Sequence, residues 1–223
     1  MKYMFIVQGD GRGHLTQAIS LSDMLRRNGH EVVEVLVGKS KEREIPNFFY
    51  EKIHAPFATY QTPSFIFKSN KKNVNTIKTF IYNIHPKRVR TYNKSLEFIS
   101  KKIKEKSPDI VINFYEMLAG LAYLRYHPRT TVISIAHQYL IRHPEYKFAK
   151  GDKDGIFFYR LITLICSIGS SKLLGLSFYQ MPDCPEERLA VVPPLLRSEV
   201  LKITLTKEEF VLVIFSIKAT KKR

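Results

Sequence analysis

Cysteine is scarce in this 223-residue chain: Cys166 and Cys184 are the only two, and neither C-x-x-C spacing nor a run of ligand-spaced histidines accompanies them. Neither a disulfide framework nor a metal site is supported, and a reducing, cytoplasmic compartment fits. Long apolar runs are missing too. The first is cut by Gly9 and Asp10, too early for a signal peptide, and none reaches the roughly 18 residues of a spanning helix. No G-x-x-x-x-G-K-[ST] occurs, which excludes a P-loop. Acidic residues are short as well, 20 against 36 lysines and arginines, for a net charge of +16 and a pI near 9.8. An acidic surface is the natural partner. What is present, 44% hydrophobic residues in a length that allows one large or two small domains, describes a globular protein with a sizeable core.

The chain is organised around residues 1–38. Tyr3 to Val7 form an apolar run too short for a helix, and Gly9, Gly11 and Gly13 follow at once, permitting a tight turn. From Leu15 the positions Leu15, Ala18, Leu21 and Leu25 recur at helical spacing, with Arg26 and Arg27 near the end and Gly29 as the stop. Val32, Val33, Val35, Leu36 and Val37 then make a strand rich in β-branched residues. A crossover this short between two buried strands implies parallel pairing, a βαβ unit. Its loop, Gly9 to His14, aims backbone N–H groups at the crevice above the strand ends. A dinucleotide fingerprint is poorly matched, because His14 stands where G-x-G-x-x-G needs its third glycine and Glu34 lies mid-strand.

Farther on, Phe48 to Tyr50 with Ile53 read as a third strand, and 57–70 as an irregular excursion near the crevice. Residues 68–106 carry twelve basic residues against two acidic ones. Within them Ile77, Phe80, Ile81 and Ile84 share one helical face. Pro86 breaks the run, and Val89, Tyr92, Leu96, Ile99 and Ile103 continue it. These two basic amphipathic helices either pack their stripes on the sheet or, for the first helix with Phe65 and Phe67, touch an anionic membrane surface through Lys71, Lys72, Lys78, Lys87 and Arg88. Strands follow at 109–113, 130–136, 172–178 and 189–192, with a helix at 117–126 and an apolar helix at 156–168, too short to span and expected to be buried. About seven strands in a doubly wound α/β pattern result.

The run VQGDGRGHLTQAISLSDMLRRNGHEVVEVLVG resembles the opening of nucleotide-sugar-dependent glycosyltransferases of the GT-B fold. It is most similar to the bacterial glycosyltransferase family 1 group related to the N-acetylglucosaminyltransferase of peptidoglycan synthesis, and the G-x-G-H loop is the specific part. SIAHQYLIRHP at 134–144 and VVPPLLRSEV at 191–200 fit the same group, the latter resembling the segment that joins its two domains. The resemblance implies a Rossmann-like parallel sheet over 1–196, the acceptor-side domain. It implies that 197–223 are a linker and, at 210–215, the first strand of a donor-binding domain. The chain is thus expected to be truncated, or a stand-alone half whose partner is a donor-domain chain, with no cofactor of its own and the nucleotide-sugar donor held elsewhere.

His14 is the candidate base, since it follows the glycine loop and an unperturbed imidazole suits proton transfer near neutrality. Its rival role is to cap the helix or fix the loop. Related plant-type enzymes place a carboxylate near the end of the 109–113 strand to orient the histidine. Here Asn113 holds the expected place and Glu116 lies three residues on, so Glu116 is the second catalytic candidate and an ordinary surface carboxylate its rival reading. Gly11, Arg12 and Gly13 in the loop, and His137 and Gln138 at the tip of the 130–136 strand, are candidate contacts for a sugar or lipid-linked acceptor. His143 reads as a loop residue. Two other function classes stay open: a basic nucleic-acid binder, which lacks a recognition motif and exposed stacking aromatics and is not expected, and a nucleotide-binding oxidoreductase.

Overall fold

Alternation along the first strand divides the core in two. Strand β1 (Lys2–Gln8) sends Phe5 and Val7 to one face of the sheet and Met4 and Ile6 to the other, all four fully buried. The computed structural model describes residues 1–41, 43–66, 75–148 and 153–204. Helix α1 (Arg12–Arg27) packs Leu15, Ala18 and Ile19 on the Phe5 face, and Gly29, at φ +73°, turns the chain into β2 (Glu31–Lys39), parallel to β1. The first βαβ unit forms as its pattern requires.

The third strand does not. Residues expected to form it are helix α2 (Asn47–Lys52), opened by Pro46, with Phe49 and Ile53 four positions apart and both buried. The strand is β3 (Phe57–Gln61), inside the stretch read as irregular. It is the sheet edge and buries only Tyr60, so no apolar run announced it.

Helices α3 (Thr76–Asn83) and α4 (Pro86–Lys106) meet at the expected proline. α4 buries Leu96, Ile99 and Ile103 against the Met4 face. Glu34, buried on β2, receives Lys102 Nζ at 2.9 Å and lies 3.5 Å from Lys106, which ties helix to strand. α3 does not pack its stripe on the sheet: Ile77, Phe80, Ile81 and Ile84 are all more than half exposed, and only Thr79 is buried.

The rest alternates regularly: β4 (Ile110–Phe114), α5 (Met117–Tyr126), β5 (Thr131–Ala136), a short 3-10 turn (His137–Arg142), α6 (Lys153–Cys166), β6 (Ser170–Leu176), β7 (Leu189–Val192) and α7 (Ser198–Leu201). α6 is not the buried helix its apolar sequence suggested. Thr163 and Cys166 are buried, whereas Phe157, Leu161 and Leu164 are exposed, because the helix touches α5 and α3 and does not lie across the sheet. Of the earlier expectations, the strand at 210–215 and Phe67, Lys68, Lys71 and Lys72 lie outside the described residues.

The seven described strands are parallel, in the order β3-β2-β1-β4-β5-β6-β7. This is a Rossmann-like, doubly wound sheet. Its order reverses between β1 and β4, which places a crevice above their carboxyl ends, where the loops after β1, β4 and β5 meet.

Candidate active site

Helix α1 begins at Arg12, three residues before the expected Leu15, so Arg12, Gly13 and His14 make its first turn. Gly11 provides no side-chain cap and the turn holds no acid. The first amides therefore have no intrahelical partner and face the crevice with the positive end of the helix. The loop before them is fixed. Gly9 N–H donates to the Gly38 carbonyl at 2.7 Å, and Gly11 N–H donates to Gln8 Oε1 at 3.0 Å.

His14 sits beneath this turn, 7% exposed. Its ring stacks on Tyr115, with centroids 5.7 Å apart, and on His137, 6.4 Å away and only 7° from parallel. Gln138 Nε2 lies 3.3 Å from His14 Nε2. Burial holds the His14 pKa down at about 4, the facing His137 lowers it further, and the Gln17 side chain opposes them. His14 is thus a neutral imidazole at pH 7. His137, at the rim, is lowered as well by partial burial.

Glu116 follows β4 and is the N-cap of α5. Asn113, where the carboxylate was sought, is structural: its Oδ1 accepts the Glu116 N–H at 2.8 Å and its Nδ2 donates to the Cys166 carbonyl at 2.9 Å. Tyr115, pinned through its hydroxyl to Thr163 at 2.7 Å, adopts a left-handed φ of 57°, a conformation costing about 1–3 kcal/mol for a non-glycine residue. The next side chain is turned inward. Glu116 is fully buried, which overturns its reading as a surface carboxylate. Its Oε1 accepts from the Thr62 hydroxyl at 2.6 Å and from Leu118 N–H at 3.0 Å, capping α5. Its Oε2 lies beside Gly38, where any Cβ would collide with it. Burial raises the Glu116 pKa to about 7 despite the hydrogen bonds from Thr62 and Leu118, and Asp10 pushes the same way.

A cavity of about 140 Å³ joins these groups, lined by Gln8, His14, Thr62, Tyr115, Glu116 and Gln138 among others. Six buried side-chain polar atoms among the described residues lack a protein partner, and three belong here: His14 Nδ1, Glu116 Oε2 and Gln138 Oε1. Such atoms cluster where a ligand's polar groups are missing. The structure thus gathers His14, Glu116, His137 and Gln138, while Glu116 bonds Thr62 and not the histidine it was expected to orient. Gly11 lines a neighbouring opening with Asp10, Ser40 and Arg43. Arg12 and Gly13 are exposed on the first turn and do not line the cavity. Lys78 is exposed on α3, and Lys87 and Arg88 border a separate cavity. His143, read as a loop residue, is buried and bonded to the Pro182 carbonyl at 3.0 Å. Gln8, Thr62 and Tyr115 were missed as site residues; placing the third strand correctly would have put Thr62 at its tip. No cluster of three or more potential metal ligands forms among the described residues.

The family profile of glycosyl transferase family 1 matches residues 1–222. The chain belongs to this family. Among solved structures, this member of glycosyl transferase family 1 is similar to UGT2 of Phytolacca americana, solved with UDP-2fluoro-glucose and pterostilbene (13% identity, 91% of this chain and 56% of that one, TM-score 0.56). It is similar also to UGT89C1 of Arabidopsis thaliana, solved with UDP-L-rhamnose (14% identity, 89% and 50%, TM-score 0.52), and to MurG of Acinetobacter baumannii (13% identity, 82% and 43%, TM-score 0.48). At these identities the first two likenesses establish the fold alone, that of one Rossmann-like domain as found in GT-B structures. The chain spans about half the length of the structures it matches. No curated protein matches it significantly.

Proposed function

We propose that this chain is the acceptor-side half of a glycosyltransferase, with residues 1–196 binding a sugar or lipid-linked acceptor and 197–223 leading toward the half that holds a nucleotide-sugar donor. The observation that carries this reading is the trio of unpartnered polar atoms, from His14, Glu116 and Gln138, around one small cavity at the switch point of a family 1 sheet. An acceptor hydroxyl seated there gives its proton to neutral His14 as its oxygen bonds to the donor's anomeric carbon, and the nucleoside diphosphate leaves with the bonding pair. Glu116, ionised above about pH 7, shares the cavity wall and stabilises the imidazolium as it forms. His137 and Gln138 hold the acceptor's polar groups, and the uncapped turn of Gly11, Arg12 and Gly13 meets the part of the acceptor that extends beyond the cavity.

The same reading places the protein at the inner face of a membrane, in cell-envelope or surface-polysaccharide synthesis. Among the described residues no helix is long and apolar enough to cross a bilayer. Touching helices α3 and α6 nonetheless leave Ile77, Phe80, Ile81, Ile84 and Phe157 exposed, beside Lys78, Lys153 and Arg160. Apolar side chains insert and each cation near an anionic surface adds about 1 kcal/mol.

The test is sugar transfer to candidate acceptors with a donor-binding half supplied. His14→Ala is expected to lower turnover by roughly 10²–10⁴-fold, and unchanged transfer removes His14 as the base. Binding to anionic vesicles should fall with salt and with Phe80→Ser/Ile81→Ser; equal binding to neutral vesicles would remove the membrane assignment.

A further inference from the structure

A second, roomier cavity opens next to the first, about 450 Å³ against about 140 Å³. It lies where the elbow between α3 and α4 faces the ends of β2 and β3, and Thr62 lines both cavities. Lys41, His85, Lys87 and Arg88 border it, together with Ser64 and Thr91, and none of its described lining residues is a carboxylate. Arg88 lies over the Tyr82 ring, 3.2 Å from the centroid, which fixes the guanidinium without neutralising it. Lys41, Lys87 and Arg88 form no ion pair with any described residue, in contrast to Lys102 and Lys106 farther along α4.

The start of α4 adds an independent anomaly. His85 gives no side-chain cap, the first turn holds no acid, and Lys87, Arg88 and Arg90 crowd the positive end of a 21-residue helix. Cations there oppose the helix dipole and repel one another. Folding alone does not favour that arrangement. The neighbouring helices are dealt with differently, α3 being capped by Asn75 and α5 by Glu116. An anion in the cavity would neutralise these cations and complement the positive end of the helix.

We infer that this cavity is a phosphate subsite, binding the phosphate or diphosphate group of the acceptor whose hydroxyl reaches His14. Naming the acceptor rests on the reading above; the anion site itself does not. Ile81 lines the cavity and belongs to the exposed stripe of α3, so a lipid attached to the bound phosphate has an apolar path outward. A free sugar phosphate would present the same group.

The test titrates inorganic pyrophosphate into the 223-residue chain at constant ionic strength. Saturable binding is expected, weakened at least tenfold in Lys87→Gln/Arg88→Gln and unchanged in Lys94→Gln/Lys104→Gln, which removes equal charge elsewhere on α4. The first variant should lose the thermal stabilisation that pyrophosphate gives the wild type, whereas Lys94→Gln/Lys104→Gln should keep it. Absent binding, or equal weakening in both variants, overturns the subsite and leaves the acceptor-side reading standing. Displacement of pyrophosphate by a sugar 1-phosphate identifies a soluble acceptor, and displacement by a short-chain lipid phosphate a lipid-borne one. Displacement by neither overturns the assignment to an acceptor phosphate.

Discussion

Among the described residues two carboxylates are buried, one on the sheet and one just beyond it, and their surroundings resolve the cost in opposite ways. Glu34, on β2, meets two lysines from α4 at 2.9 and 3.5 Å, so its charge is compensated where it lies. Glu116, beyond β4, receives hydrogen bonds from Thr62 and Leu118 on one oxygen only, keeps the other bare, and has Asp10 as a like charge. The first carboxylate holds a helix to a strand. The second holds a proton that comes off near neutrality, in a cavity with space for a substrate. A buried acid is therefore informative through its partners rather than its burial.

The largest effect expected of this contrast comes from stripping Glu34. Lys102→Ala/Lys106→Ala leaves a buried charge uncompensated and should cost about 3–5 kcal/mol in denaturant unfolding, much of it recovered when Glu34→Gln is added. A loss no greater than that of Lys94→Ala/Lys104→Ala would break the comparison. The pH dependence of stability is next. Glu116 titrates near 7 folded and 4.5 unfolded, so the folded state holds the extra proton in between and stability falls as pH rises through that window. His14, about 4 folded against 6.5 unfolded, does the reverse, and stability rises with pH from 4 to 6.5. Each contributes about 3 kcal/mol over its span. Between 4.5 and 6.5 the two slopes cancel in the wild type. Glu116→Gln should unmask a rising slope and His14→Gln a falling one; a slope unchanged by either substitution would show that the group does not titrate as its surroundings require.

The contrast also marks where the sequence is legible. Strands β1 and β2 are buried on both faces, so their apolar runs are nearly continuous, broken in β2 at Glu34, and the βαβ unit is readable from Tyr3 to Val37. β3, at the edge, buries one residue and has no such signature, whereas the aromatic triplet before it satisfies a helical face instead. α3 and α4 show the same limit from the other side. Their spacing is equally amphipathic, yet only α4 lies across strands, because periodicity specifies a face and not what covers it. His14 and His137 could each be placed at a strand tip, but their stacking depends on β4 lying between β1 and β5, a strand order that local pattern does not encode. Glu116 was hardest, since its burial is made by the left-handed turn at Tyr115 and by Thr62 from a strand placed elsewhere.

The smallest effect is the most specific to Glu116. Thr62 donates to Oε1, and that bond favours the ionised form, so Thr62→Val should move the carboxyl's titration above its present value near 7. Asp10 acts oppositely through space, so Asp10→Asn should move it down, by less, since Asp10 is the weakest of the four influences. A hydrogen bond to a charged group is worth roughly 1.5–3 kcal/mol, or about one to two pH units, within reach of carboxyl NMR titration. The pair of shifts tests the site's electrostatics without touching His14. Because Glu34 has neither influence near it, opposite movement at Glu116 with no change in the Lys102 ion pair would separate the two acids. Movement in the same direction for both substitutions would mean that burial alone sets the Glu116 proton, and that the Thr62 tip of β3 has no part in poising the cavity.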